Sequence, residues 1–141
     1  MPSPLHRLVY RSQSNISHGD SPALRQLFDS SCRNNQRDRV TGALALPDGK
    51  FVQALEGSRS MIDALMIRLR SDDRHSDIVV LGDWPITARL FPGWARAHPD
   101  PTPLSEQSFR IITESGSGAQ CTGLLLGLMQ SRESIFGHAH I

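Results

Sequence analysis

The sequence has no excess of charge of either sign: 15 Lys and Arg stand against 14 Asp and Glu in 141 residues, a formal +1. That balance offers no electrostatic footprint to a nucleic-acid backbone or an anionic membrane, so neither is expected as a partner. Cysteine is scarce. Cys32 and Cys121 lie far apart, with no C-x-x-C spacing, which argues for reduced thiols and against a metal site. The histidines (6, 18, 75, 98, 138 and 140) are scattered, and His138-Ala139-His140 reads as a frayed end rather than a ligand set. Long apolar runs are missing too. Leu124 to Met129 is the longest and includes Gly127, far too short to span a bilayer. Met1-Pro2-Ser3-Pro4 runs straight into Leu5-His6-Arg7, so no signal peptide is read. A soluble, cytoplasmic, single-domain protein is expected, long enough for a substantial core.

What the sequence does have is clear periodicity. Residues 5–11 (LHRLVYR) alternate as a first strand. Ser21-Pro22 gives an N-cap and a proline at the first helical position. Leu24, Leu27, Phe28 and Ser31 follow at helical spacing, predicting a helix to about Asn34, with Asn34-Asn35 as its exit. Residues 39–46 and 50–56 predict two apolar strands joined by a tight turn at Pro47-Asp48-Gly49. Ser58 or Ser60 caps a second helix, Ser60-x-x-Asp63 resembling a capping box. Its stripe is Met61, Ile62, Leu65, Met66 and Leu69, and Asp72-Asp73-Arg74-His75 ends it. Residues 77–82 predict a fourth strand, bulged or ended by Trp84-Pro85-Ile86, and Trp94 to Ala97 a short fifth.

The order β-α-β-β-α-β-β predicts an α+β, ferredoxin-like sandwich with both helices on one sheet face. HPDPTP (98–103) has the composition of a linker, and LSEQSFRIIT and CTGLLLGLMQSRESIF read as two C-terminal helices. The chain therefore divides into a core, 1–98, and a linker with a helical cap, 99–141. The cap is expected to cover the bare sheet face or to pair with another subunit.

Gln53 is the anomaly in this pattern. Alternation puts Phe51, Gln53 and Leu55 on one face of the third strand, and the amide cannot be buried there without partners. In a ferredoxin-like sheet the first and third strands are central neighbours, which brings Tyr10 beside Gln53. Asn35 ends the first helix at the same edge, and Arg74 and His75 end the second. Singly, each has an ordinary structural explanation, such as a satisfied tyrosine, a helix stop or a cationic helix end. Together they form a polar lining between two apolar helices, suited to a flat, hydrogen-bonding heteroaromatic ligand.

The pieces that carry a family resemblance are Leu8-Val9-Tyr10-Arg11-Ser12, Asn34-Asn35, Val40-Thr41-Gly42-Ala43-Leu44, Phe51-Val52-Gln53-x-Leu55-Glu56-Gly57, Asp72-x-Arg74-His75 and Arg89-x-Phe91-x-x-Trp94. In this order and spacing, over roughly residues 5–98, the chain resembles a BLUF domain, the flavin-binding blue-light sensor. The resemblance implies FAD or FMN held between the two helices. It implies that Tyr10 is the photochemical electron and proton donor and Gln53 the amide between it and the flavin. Asn35 would bond the flavin C4 carbonyl and N3, with Asn34 beside it. Arg68, Asp72, Arg74 and His75 would meet the ribityl and phosphate groups. Trp94 would be the semi-conserved tryptophan of strand five. The family's usual methionine two residues later is Arg96 here, which would need a partner such as Glu56, or a strand five turned outward.

Other classes fit less well. Acylphosphatase-type chemistry needs backbone N–H groups cradling phosphate, and the Ser12–Asp20 loop holds only Gly19. No Ser-His-Asp spacing is read, so no enzyme is expected. A cysteine-adduct receptor would use Cys32, but SSCRNN lacks the sequence such receptors carry. A cofactor-free interaction module on the same fold would give colourless protein. A sensor of this kind signals through a downstream protein partner or through its own homo-oligomer.

Overall fold

The computed structural model describes residues 4–16, 21–45, 49–96 and 117–126. The elements run β1 (Leu5–Ser14), α1 (Ser21–Arg37), β2 (Thr41–Ala45), β3 (Lys50–Ser58), α2 (Arg59–Arg70), β4 (His75–Ile86) and β5 (Trp94–Arg96), followed by α3 over residues 118–126. The five strands form one sheet in the order β4-β1-β3-β2-β5. All neighbouring pairs are antiparallel except β5, which adds parallel to β2. This is the α+β, ferredoxin-like arrangement expected, with β1 and β3 as central partners.

Alternation along the strands makes two cores. On the helix face, Leu8, Tyr10 and Leu55 pack with Ile62, Leu65 and Met66 of α2, while Phe51 and Leu44 pack with Leu27 and Phe28 of α1. On the opposite face, Val9, Ala43, Ala45, Val52 and Ala54 pack with Phe91 and with Cys121 and Leu125 of α3. Over residues 118–126, α3 packs on this second face. A Cβ at Gly118 would stand 3.0 Å from the Trp84 ring and 3.2 Å from the Gly82 Cα, so α3 sits close on β4 there. Burying each such aliphatic side chain is worth roughly 1.5–3 kcal/mol, which is why a helix this short can stay seated. The linker at 98–103 and the predicted helix 104–113 lie outside the described residues, as do Pro47 and Asp48 of the turn.

Several boundaries differ from expectation. Helix α1 continues past Asn34-Asn35 to Arg37, and the chain leaves it through Arg39 at φ 56°. Asn35 falls seven residues after Phe28, so the buried stripe simply extends to it. Helix α2 is capped by Ser58, whose Oγ accepts the Met61 N–H at 3.3 Å, rather than through a Ser60–Asp63 box. That helix ends at Arg70, so His75 opens β4 instead of closing α2. Strand β4 runs on through Trp84-Pro85-Ile86, because it is an edge strand and a missing N–H costs nothing on a free side. Helix α3 begins before Cys121. Ser117 Oγ accepts the Gln120 N–H and Gln120 Oε1 accepts the Ser117 N–H, a reciprocal capping box.

Candidate functional site

Between the helices and the sheet lies a narrow cleft. The sheet contributes Tyr10, Leu44, Phe51 and Gln53 to it. Leu27 and Ser31 come from α1 and Leu69 from α2, while Asp72, Arg74 and His75 come from the turn into β4. Register explains the central pair: Tyr10 stands opposite Gln53, and Gln53 opposite Leu44. The Tyr10 hydroxyl donates to Gln53 Oε1 at 2.6 Å, with Tyr10 2% and Gln53 4% exposed. This answers the demand a buried strand amide makes. With Oε1 bonded to the phenol, the Gln53 N–H₂ is left for other acceptors. Burial, and then the Asp72 charge, push the Tyr10 phenol far above its ordinary range, so it stays a neutral donor.

The far end of the cleft is polar and internally paired. Arg74 forks onto Asp72, Nε to Oδ1 at 2.9 Å and Nη2 to Oδ2 at 2.6 Å, and the Arg74 N–H adds a third bond at 3.0 Å. These bonds hold the Asp72 carboxyl below the usual carboxylate range, against the opposing effect of burial. His75 is buried, with its ring edge-on to Phe51 and tilted against Tyr10. Its Nε2 lies 2.6 Å from the Leu69 carbonyl and its Nδ1 2.7 Å from Ser12 Oγ. A carbonyl only accepts, so Nε2 carries the hydrogen, and in the neutral ring Nδ1 accepts from Ser12. His75 thus ties the end of α2 to β1.

Tyr10, Gln53, Asp72, Arg74 and His75 therefore come together as expected. The others are placed differently. Asn35 is 2% exposed, in the last turn of α1, where its carbonyl accepts the Val40 N–H at 2.8 Å; it is not among the residues lining the cleft. Asn34 is exposed. Arg68 turns to Asp38 at 3.0 Å, away from the cleft. Trp94 packs inward against the cluster of Leu27, Phe28, Leu44 and Phe51, so strand five does not turn outward there. Its Nε1 is buried without a partner. Arg96 pairs in register with Leu44. The Glu56 carboxylate is fully buried and bonded to Arg7.

Sequence reading missed the cleft walls Ser31 and Leu44, the His75 anchor Ser12, and the buried Arg7–Glu56 pair. Ser12 shares Tyr10's parity along β1. Glu56 is a charge of opposite parity to Gln53 in a strand buried on both faces. Both signals were available.

Comparison with known proteins decides the family. The profile of BLUF, described as sensors of blue-light using FAD, matches residues 5–97. The chain belongs to the BLUF family. Among its relatives, the photoactivated adenylate cyclase subunit beta of Euglena gracilis is 33% identical over 90 residues, 62% of this chain and 10% of that protein. The Euglena longa counterpart is 35% identical over 92 residues, 64% and 10%. The chain thus spans about a tenth of the length of these curated relatives. The dark-state structure of BlrB, a BLUF protein, superposes with a TM-score of 0.71 at 26% identity, covering 94% of this chain and 99% of BlrB. A bacterial light-regulated adenylyl cyclase superposes at 0.70 with 31% identity, covering 79% and 34%.

BLUF domains bind flavin, and the cleft residues fit one. Leu27, Leu44, Phe51 and Leu69 supply the apolar walls that a flat ring system needs. The Gln53 amide and the Asp72–Arg74 pair add polar groups to that lining. Among the described residues no His, Cys, Asp and Glu cluster could hold a metal ion, and no helix is long and apolar enough to cross a membrane.

Proposed function

We propose that this BLUF chain senses blue light through the Tyr10–Gln53 pair and passes the signal on by contact rather than by catalysis. The observation that carries this reading is the 2.6 Å bond from the Tyr10 hydroxyl to Gln53 Oε1, buried at the cleft. When bound, FAD or FMN supplies blue absorption and an electron-accepting excited state. Tyr10 is the chain's one phenol. On losing an electron its hydroxyl becomes strongly acidic, and Oε1 is in place to take the proton. Rotation of the Gln53 side-chain amide, or its tautomerisation, then exchanges the acceptor offered to Tyr10 for a donor. A carboxylate at this position could not donate, and an ammonium could not accept. The amide is thereby a two-state element biased by light.

In this reading residues 1–98 are the sensor core and the C-terminal part, which contains α3, is the cap and transmitter. The output is a changed contact with a downstream protein or with a second copy of the chain. Asp72, Arg74 and His75 shape the cofactor site from its lining, while Asn34 and Asn35 act on it from the last turn of α1 and Arg68 through Asp38. Trp94 and Arg96 carry the change along β5. Gln53→Leu and Tyr10→Phe test the reading. Each variant should bind flavin and lose the light-induced red shift of its blue absorption band. A wild-type red shift in either variant refutes the assigned switch.

A further inference from the structure

Glu56 lies three residues after Gln53 on β3 and therefore faces the other side of the sheet. It is fully buried. Its carboxylate gathers five donors. Arg7 Nε and Nη2 approach Oε2 at 2.9 and 2.6 Å, and Thr41 Oγ1 approaches Oε1 at 3.4 Å. The Leu90 N–H reaches both oxygens, at 3.1 and 3.0 Å, and the Phe91 N–H reaches Oε1 at 2.9 Å.

Two routes lead from this carboxylate to α3. Arg7 lies over the Trp84 ring, 5.5 Å from its centroid, and Trp84 is the ring against which Gly118 is seated. Phe91, fully buried, packs in one cluster with Cys121 and Leu125 of α3. The same short segment leads into Trp94, which packs on the cofactor side against Leu44 and Phe51. The Gly93 carbonyl fastens this segment to β2 through the Gly42 N–H at 2.9 Å. Arg89 adds a brace, donating to the Glu56 carbonyl, to Thr41 Oγ1 and to the Arg39 carbonyl at 2.8 to 2.9 Å.

We propose that Glu56 is the positioning residue that couples the cofactor face to α3. It ties the strand bearing the switch amide to the segment between Phe91 and Trp94, and through Phe91 and Trp84 to the cap helix. A rearrangement that moves Trp94 or β3 must then change how α3 is held. This inference rests on the flavin-switch reading above and extends it across the sheet.

The test is hydrogen exchange of residues 118–126 in the flavin-loaded full chain, lit and dark. Glu56→Gln keeps the shape but turns an amide donor toward Arg7 or the two backbone N–H groups. Wild type should exchange at different rates in light and dark. Glu56→Gln should keep the red shift while its lit-to-dark exchange ratio falls to unity. A merely structural role would change exchange equally in both states and leave that ratio as in wild type. Phe91→Leu is the second variant, milder for the fold, and should also lower the ratio. The coupling is overturned if both variants keep the wild-type ratio, or if wild type shows a red shift with no exchange difference in α3. Wild type without any red shift overturns the flavin reading itself, a separate failure.

Discussion

At the scale of single residues, the site depends on groups that cannot change charge casually. Tyr10 is held neutral by burial and by the Asp72 charge. A phenol whose folded pKa lies above its unfolded value stabilises the fold fully below that unfolded value, here 10.0, and this contribution is lost as pH rises above it. Because Tyr10 is the chain's one tyrosine, the phenolate band reports it alone. In flavin-free folded protein that band should stay absent as pH rises through 10.0, and should appear there only in denaturant. Titration of the folded protein at the ordinary value would contradict the buried, hydrogen-bonded phenol. His75 works differently, as a two-ended tie between the Leu69 carbonyl and Ser12. His75→Phe keeps an aromatic ring but leaves both partners unsatisfied. It should cost about 1–3 kcal/mol in urea unfolding and, because His75 lines the cleft, weaken flavin binding as well.

At the scale of elements, the strands were legible because alternation is a strong signal, and the order of elements made β1 and β3 neighbours, while the register that sets Tyr10 opposite Gln53 came from the structure. The ends of elements were less legible, since they depend on competition between neighbours. Ser58 and Ser60 both look like caps, and only the backbone at Ser58 is extended. Pro85 reads as a strand breaker unless the strand is known to lie at the sheet edge. The Asp72–Arg74 fork makes a turn out of residues that resemble a cationic helix end. Arg68 is placed with the cofactor by the family resemblance, but in the structure it pairs with Asp38 at 3.0 Å. Gly42 shows the opposite case, a residue fully determined by its place. It sits in β2 at φ 151°, and a Cβ would collide with the Ala54 carbonyl. Gly42→Ala should destabilise by at least ~2 kcal/mol, read as a lowered Tm. Gly123 faces open space in α3. Gly123→Ala should stabilise that helix by about 0.5–1 kcal/mol, seen as slower exchange over residues 118–126.

At the scale of the whole molecule, one sheet serves two faces. The face carrying Tyr10 and Gln53 holds the cleft beneath α1 and α2. The face carrying Arg7 and Glu56 receives α3. In the proposed reading the two faces divide the work, one holding the photochemistry and the other presenting the surface that a partner reads. Polar residues in strands mark both faces, and this is why so much of the site could be read from a chain with no metal motif and no strong charge. The direct measurement is a lit-minus-dark absorption difference spectrum of the purified, flavin-loaded protein, taken alongside Gln53→Leu. The account predicts a small red shift of the blue band in wild type that decays in darkness and is missing from the variant. Bleaching of the band, no response to blue light, or an equal shift in the variant would contradict it.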